Sequence, residues 1–176
     1  MALRPVVLYP DPVLLRPTEP VAEIDETIRQ LAADMIETMY AAPGIGLAAN
    51  QVGESVRLFV MDPSGGEEPA GLRVLVNPLT LAAEGSQVGE EGCLSFPDIT
   101  IDVERALRAR VQALDLEGRT VVHEGEGLLA RVMLHEIEHL DGETFLRNVS
   151  ALKREMVKRE IRKRIKTGDW APSAAP

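Results

Sequence analysis

The segment Leu128–His139 constrains this chain more than any other. Its apolar residues Leu128, Leu129, Val132 and Leu134 recur at helical spacing, and a helix with so broad an apolar surface must be covered on several sides. Within it stands His135-Glu-Ile-Glu-His139. Four residues advance an α-helix by about 400°, so both imidazoles leave one face, one turn apart. The fold therefore has to wrap other elements around a helix that carries two histidines inward, with Glu136 beside them.

The remaining sequence supplies those elements. Residues 1–23 contain Pro5, Pro10, Pro12, Pro17 and Pro20, which predicts an extended arm lying on the domain. Asp25 is a helix N-cap, and Ile28, Leu31, Ala32, Met35, Ile36 and Met39 keep helical spacing until Pro43-Gly44 stops the run. Strand patterns follow at Val56–Met61 and Leu72–Val76, separated by a loop over 62–71. β-Branched alternation resumes from Leu94 to Val122, with a hairpin turn at Leu116-Glu-Gly118. The central helix is expected from near Glu126 through His139, a last helix from about Ser150 to Lys166, and a flexible tail over 167–176. These elements predict an α+β fold of antiparallel or mixed sheets around the HExxH helix, with an N-terminal and a C-terminal helix. No second-domain linker interrupts 1–166, which is read as one catalytic domain.

Two histidines are not a complete catalytic metal site, which needs a third protein ligand and one open position. His123, in Thr120-Val-Val-His-Glu-Gly125, reads as a partly exposed strand residue. The spacing of a longer HExxH pattern would put its third histidine where Phe145 stands, and phenylalanine binds no metal. Glu155 and Glu160 lie downstream among basic residues, where surface ion pairs are the ordinary expectation. The chain's one cysteine, Cys93 in Glu91-Gly-Cys-Leu-Ser95, remains. A lone cysteine is usually a small buried hydrophobe, but its thiolate would complete a Cys-His-His set. With one cysteine there is no internal disulfide, as in a reducing compartment.

Three motifs thus occur in order: Gly44-Ile-Gly-Leu-Ala-Ala-Asn-Gln51, Glu91-Gly-Cys-Leu-Ser95 and His135-Glu-Ile-Glu-His139. Together they resemble the three signatures of the peptide deformylase family. The ends, from Tyr9-Pro-Asp-Pro12 to the Arg-rich final segment, are similar as well, so the resemblance covers nearly the whole chain. It implies a metal-dependent hydrolase that removes the N-formyl group from the N-terminal formylmethionine of newly made polypeptides, releasing formate. Residue by residue, it implies that Cys93, His135 and His139 bind one divalent ion, natively Fe(II), with Zn(II), Ni(II) or Co(II) as replacements. It makes Glu136 the general base and acid, and puts Gln51 and the backbone N–H of Leu94 on the formyl oxygen. Gly46 and Glu91 would sit beside the substrate. Ile45, Leu128 and Val132 would line an apolar pocket for the methionine side chain. The chain departs from the family pattern at Leu134, where glutamine is frequent, at Glu138, where aspartate is common, and at Gly89, where a larger residue can occur. The rival expectation is an HExxH zinc endopeptidase with a downstream third ligand.

Charge distinguishes one segment. The chain carries a net −9, yet residues 151–166 hold 8 Lys/Arg against 2 Glu, leaving −15 for the rest. An acidic body with only 3 Phe, 2 Tyr and 1 Trp excludes a general nucleic-acid surface. In 151–166, Leu152, Met156, Ile161 and Ile165 are expected to form one apolar stripe beneath a basic solvated face. The resemblance implies docking of this helix on the ribosome near the tunnel exit, where nascent chains emerge. The start lacks the apolar core of a signal peptide, and no stretch approaches the roughly 20 apolar residues of a membrane helix. A cytoplasmic protein is the expectation.

Overall fold

A computed structural model describes residues 2–68 and 71–172. Its centre is helix α2, Leu128–Leu140. Ala130, Met133, Ile137 and Leu140 pack against Phe59, Met61, Leu75, Val111 and Ala113 of a sheet, while Val132, His135, Glu136 and His139 on other faces are also buried. The wrapped helix foreseen from the sequence is thus present. It begins at Leu128 rather than near Glu126, because the preceding strand runs through Glu126 and the chain reverses at Gly127. That residue has φ +63°, a left-handed conformation that glycine adopts without steric cost.

The sheet on α2 has five strands in the order β1-β2-β3-β6-β7: β1 Gly46–Ala48, β2 Leu58–Met61, β3 Arg73–Glu84, β6 Arg108–Leu114 and β7 Thr120–Glu126. A separate hairpin pairs β4, Gln87–Cys93, with β5, Phe96–Arg105. All these pairings are antiparallel, and the arm contributes a parallel bridge between Glu19 and Val56. The α+β architecture agrees with the expectation.

Helix α1, Glu26–Ala41, starts at Asp25, whose side chain accepts from the Ile28 N–H at 3.0 Å. Its Leu31, Ala32, Met35 and Met39 bury against Leu47, Leu58, Val60 and Val76. The loop after β2 is drawn in by buried Asp62, which accepts from Tyr40 Oη at 2.6 Å, Ser64 Oγ at 2.6 Å and the Gly66 N–H at 2.9 Å.

Two expectations for the C-terminal region need correction. Helix α3, Ala151–Thr167, does not bury Leu152, Met156 and Ile165, which are 74%, 64% and 46% exposed. Its packed side instead centres on Ile161 and Val157 against Phe96, Phe145 and Leu146. Arg154 and Arg164 flank that contact and can do so because their guanidinium groups reach main-chain carbonyls, Leu146 O at 2.9 Å and Pro97 O at 3.4 Å. The segment assigned to a tail is partly anchored: Thr167 closes α3, and Trp170 joins this apolar cluster and donates its indole N–H to Tyr9 O at 2.7 Å. Residues 173–176 of that segment lie outside the described residues.

Candidate metal centre and catalytic cleft

Between α2 and the β4–β5 hairpin lies a cleft of about 450 Å³. It is lined by Ile45, Gly46, Gln51, Glu91, Cys93, Leu94, Leu128, Val132, His135 and Glu136, ten of the eleven residues singled out from the sequence. The eleventh, His139, is buried one helical turn below His135, and their rings are 5.0 Å apart. His123 sits elsewhere on β7, and Phe145 packs edge-on against His135. Glu155 pairs with Lys158 and Arg162, and Glu160 with Arg164, so the downstream ligand required by an endopeptidase is not at the site.

Cys93, at the end of β4, faces the two histidines across the gap. The candidate ligand atoms of Cys93, His135 and His139 lie within 4.8 Å of one another, with Cys93 Sγ 3.2 Å from His139 Nε2. His135 Nδ1 is 2.9 Å from Glu91 Oε2. An ionised carboxylate only accepts, so this bond puts the ring proton on Nδ1 and leaves the Nε2 lone pair available. His139 is held neutral: burial, aided by the charges of His135 and Arg105, brings it well below its ordinary range. Burial opposes the charged form of His135, but Cys93 and Glu91 raise it well above its ordinary range, so the pocket favours positive charge at this ring, and a metal cation at Nε2 would take the place of a second ring proton while Nδ1 keeps its own. Glu136 Oε2 and His139 Nδ1 are buried polar atoms without a protein partner among the described residues. One thiolate and two imidazoles form a soft three-ligand set, which suits a catalytic divalent metal with a position left open. The residues therefore fit the ion.

The groups around these ligands are tightly organised. Gln51 lies on a short 3-10 turn, Ala49–Val52. Its Oε1 accepts from the Ala48 N–H at 2.9 Å, which turns Nε2 toward Cys93 Sγ at 3.4 Å and Ser95 Oγ at 3.2 Å. The carboxylate of Glu136 packs directly on Gly46, where any Cβ would collide with it. Burial pushes the Glu136 carboxyl up to about 7, against the charges of His135 and Arg105.

Glu91 is the hub of a buried ion network that the sequence did not reveal. It accepts from Arg105 Nε, from Arg105 Nη2 at 3.0 Å and from Arg131 Nη1 at 2.7 Å. Arg105 Nη2 also reaches Glu138 Oε2 at 2.9 Å, and Asn148 Nδ2 fixes the other oxygen of Glu138 at 2.7 Å. Burial alone would raise the Glu91 carboxyl, yet hydrogen bonds from His135 and Arg105 hold it down to about 2. Both arginines left a trace in the sequence. Arg105 occupies the inward phase of β5 after Ile99, Ile101 and Val103, and Arg131 precedes His135 by one turn, in the otherwise apolar stretch 128–134 of α2. A charge in a buried register needs a buried partner. Removing that partner in Glu91→Ala is expected to cost about 3–5 kcal/mol, because uncompensated guanidinium charge stays in the interior. Urea unfolding measures it; a loss below about 1 kcal/mol would mean the network is solvated and contributes as little as a surface pair.

An HExxH helix, a strand cysteine placed to serve as third ligand and a buried carboxylate over an open cleft are the features of a metallohydrolase of the α+β class. The sequence matches the polypeptide deformylase family over residues 3–155. It is 52% identical over 170 residues to the peptide deformylase of Acidobacterium capsulatum, covering 97% of this chain and 100% of that one. It is 49% identical over 170 residues to the enzyme of Alkalilimnicola ehrlichii, covering 96% and 94%. The crystal structure of a peptide deformylase from Legionella pneumophila superposes with a TM-score of 0.88 at 40% identity, covering 97% of this chain and 100% of that one. This chain belongs to the polypeptide deformylase family, metal-dependent hydrolases that remove N-formyl groups from nascent peptides.

Proposed function

We propose that this cleft hydrolyses the formyl group of N-terminal formylmethionine, with the roles distributed as follows. Cys93, His135 and His139 hold one divalent ion, Fe(II) natively, with Zn(II), Ni(II) or Co(II) able to replace it. When bound, such an ion supplies Lewis acidity, polarising a carbonyl oxygen and lowering the pKa of a water from about 15.7 toward 7. Glu136 accepts a proton from the attacking water as the water oxygen bonds to the formyl carbon, then delivers that proton to the amine nitrogen as the C–N bond breaks, so that formate and a free N-terminus result. The Gln51 amide and the Leu94 N–H donate to the oxygen on which negative charge develops; one such donor typically contributes about 2.7–4 kcal/mol to lowering the barrier.

Substrate backbone adds beside Gly46 and Glu91. Among the described residues β1 pairs only with β2 and so is an edge strand, and its free edge can take an extended peptide by main-chain hydrogen bonds. Ile45, Leu128 and Val132 receive the methionine side chain. The observation that carries this reading is the convergence of the three ligands with Glu136 and Gln51 around one cleft. The test is formate release from formyl-Met-Ala-Ser by protein loaded with Fe(II) or Ni(II). Formate and free amine are expected in equal amounts, and metal-loaded protein that releases neither would overturn the proposal.

The second partner is the ribosome, approached through α3. Arg159, Arg162, Lys163 and Lys166 are exposed beside the uncovered Leu152, Met156 and Ile165, a basic and apolar surface suited to RNA and protein at the tunnel exit. Charge reversal at Arg159, Lys163 and Lys166 together is expected to lower co-sedimentation with ribosomes at low salt; unchanged co-sedimentation would remove α3 from that contact. Work on nascent chains gives the enzyme a cytoplasmic location. Among the described residues no helix is long and apolar enough to cross a membrane.

A further inference from the structure

Arg131 has a position that hydrolysis does not explain. It projects from α2 between Leu128 and Val132, and its side chain, 9% exposed, forms part of the wall of the same cleft. A guanidinium buried to that extent needs acceptors for its N–H groups. Nη1 has them: Glu91 Oε1 at 2.7 Å, Val103 O at 3.1 Å and Gly89 O at 3.4 Å. Nη2 and Nε have no protein acceptor among the described residues, and neither is sealed from solvent. Glycine at position 89 makes room for them. A Cβ there would stand 3.1 Å from Nη2, 3.4 Å from Cζ and 3.7 Å from Nε.

We propose that Arg131, admitted by Gly89, is a specificity-determining residue that gives the side-chain pocket a donor edge. The pocket then accepts an N-formyl residue whose side chain carries a neutral acceptor oxygen near its tip, N-formylmethionine sulfoxide above all, beside N-formylmethionine itself. The thioether of methionine is only a weak acceptor and makes little use of such donors. Its sulfoxide is a strong dipole of nearly the same length. A purely apolar pocket would reject that dipole, because the lost hydration would have no replacement. The neighbouring Glu91 carboxylate already balances the guanidinium charge, which favours a neutral acceptor over an anionic one.

This inference rests on the pocket assignment made above, and the experiment separates the two. Values of kcat/KM are measured for formyl-norleucyl-Ala-Ser and formyl-methionine-sulfoxide-Ala-Ser with the metal-loaded parent, Arg131→Leu, Gly89→Ala and Val132→Phe proteins. The sulfoxide-to-norleucine ratio is expected to fall about tenfold in Arg131→Leu, equivalent to 1.36 kcal/mol. A smaller fall is expected in Gly89→Ala, whose Cβ displaces the guanidinium while keeping its charge. Each ratio is internal to one preparation, so partial loss of folded or metal-loaded protein cancels. A ratio unchanged in both variants overturns the proposal. Val132→Phe should slow both substrates by filling the pocket; if it slows neither, the pocket assignment fails and the donor edge with it.

Discussion

Glu136→Ala is expected to lose turnover by at least 10²–10⁴-fold, roughly what positioned general acid–base groups contribute, while binding the same amount of metal as the parent. The reasoning is positional. Glu136 sits on α2 between the two histidines in sequence, but it is not one of the three converging ligand residues. Its carboxylate is buried, lines the cleft, and leaves one oxygen without a protein partner among the described residues. Alanine is the most favourable helix residue, and the group removed packs on the bare backbone of Gly46, so α2 and its histidines should hold their places. Formate release and metal content measured on the same preparation check the expectation. Turnover that survived would move the proton-carrying role to another group.

Cys93→Ala is expected to lose both metal and activity. The three candidate ligand residues come from two elements, the histidines from α2 and Cys93 alone from the β4–β5 hairpin. Without the thiolate, two neutral imidazoles remain, a weaker set for any divalent metal that also leaves an extra open position. The fold should survive, because Cys93 lies at the margin of an apolar cluster whose large members are Phe96, Phe145 and Leu146. Metal analysis after dialysis, beside circular dichroism, reads both parts. Retained metal with intact activity would mean that the ion is held without Cys93.

The three motifs and the two outer helices were legible because each is a local pattern. His135 and His139 share a face by the helical repeat alone, and Asp25 followed by apolar residues at helical spacing gave the correct start of α1. Strand β4 was not legible. Gln87-Val-Gly-Glu-Glu-Gly-Cys93 has two glycines and two glutamates, residues that disfavour strands. It is extended because β5 offers a full antiparallel ladder from Gln87↔Arg105 to Gly92↔Thr100. The face of α3 was misjudged because apolar spacing locates a stripe without saying whether anything covers it.

Sequence alone determined the chemistry available: a histidine pair one helical turn apart, a carboxylate beside it, one thiol, and an apolar helix that had to be enclosed. Tertiary structure decided how those groups meet. Cys93 stands 42 positions before His135, and only the β4–β5 hairpin packing across α2 brings its sulfur to the imidazoles. The same packing gathers Glu91, Arg105, Arg131 and Glu138 into one buried network and lays the Arg131 guanidinium over Gly89. These contacts join side chains far apart in the chain, and their distances depend on how whole elements stack, which residue order records only indirectly.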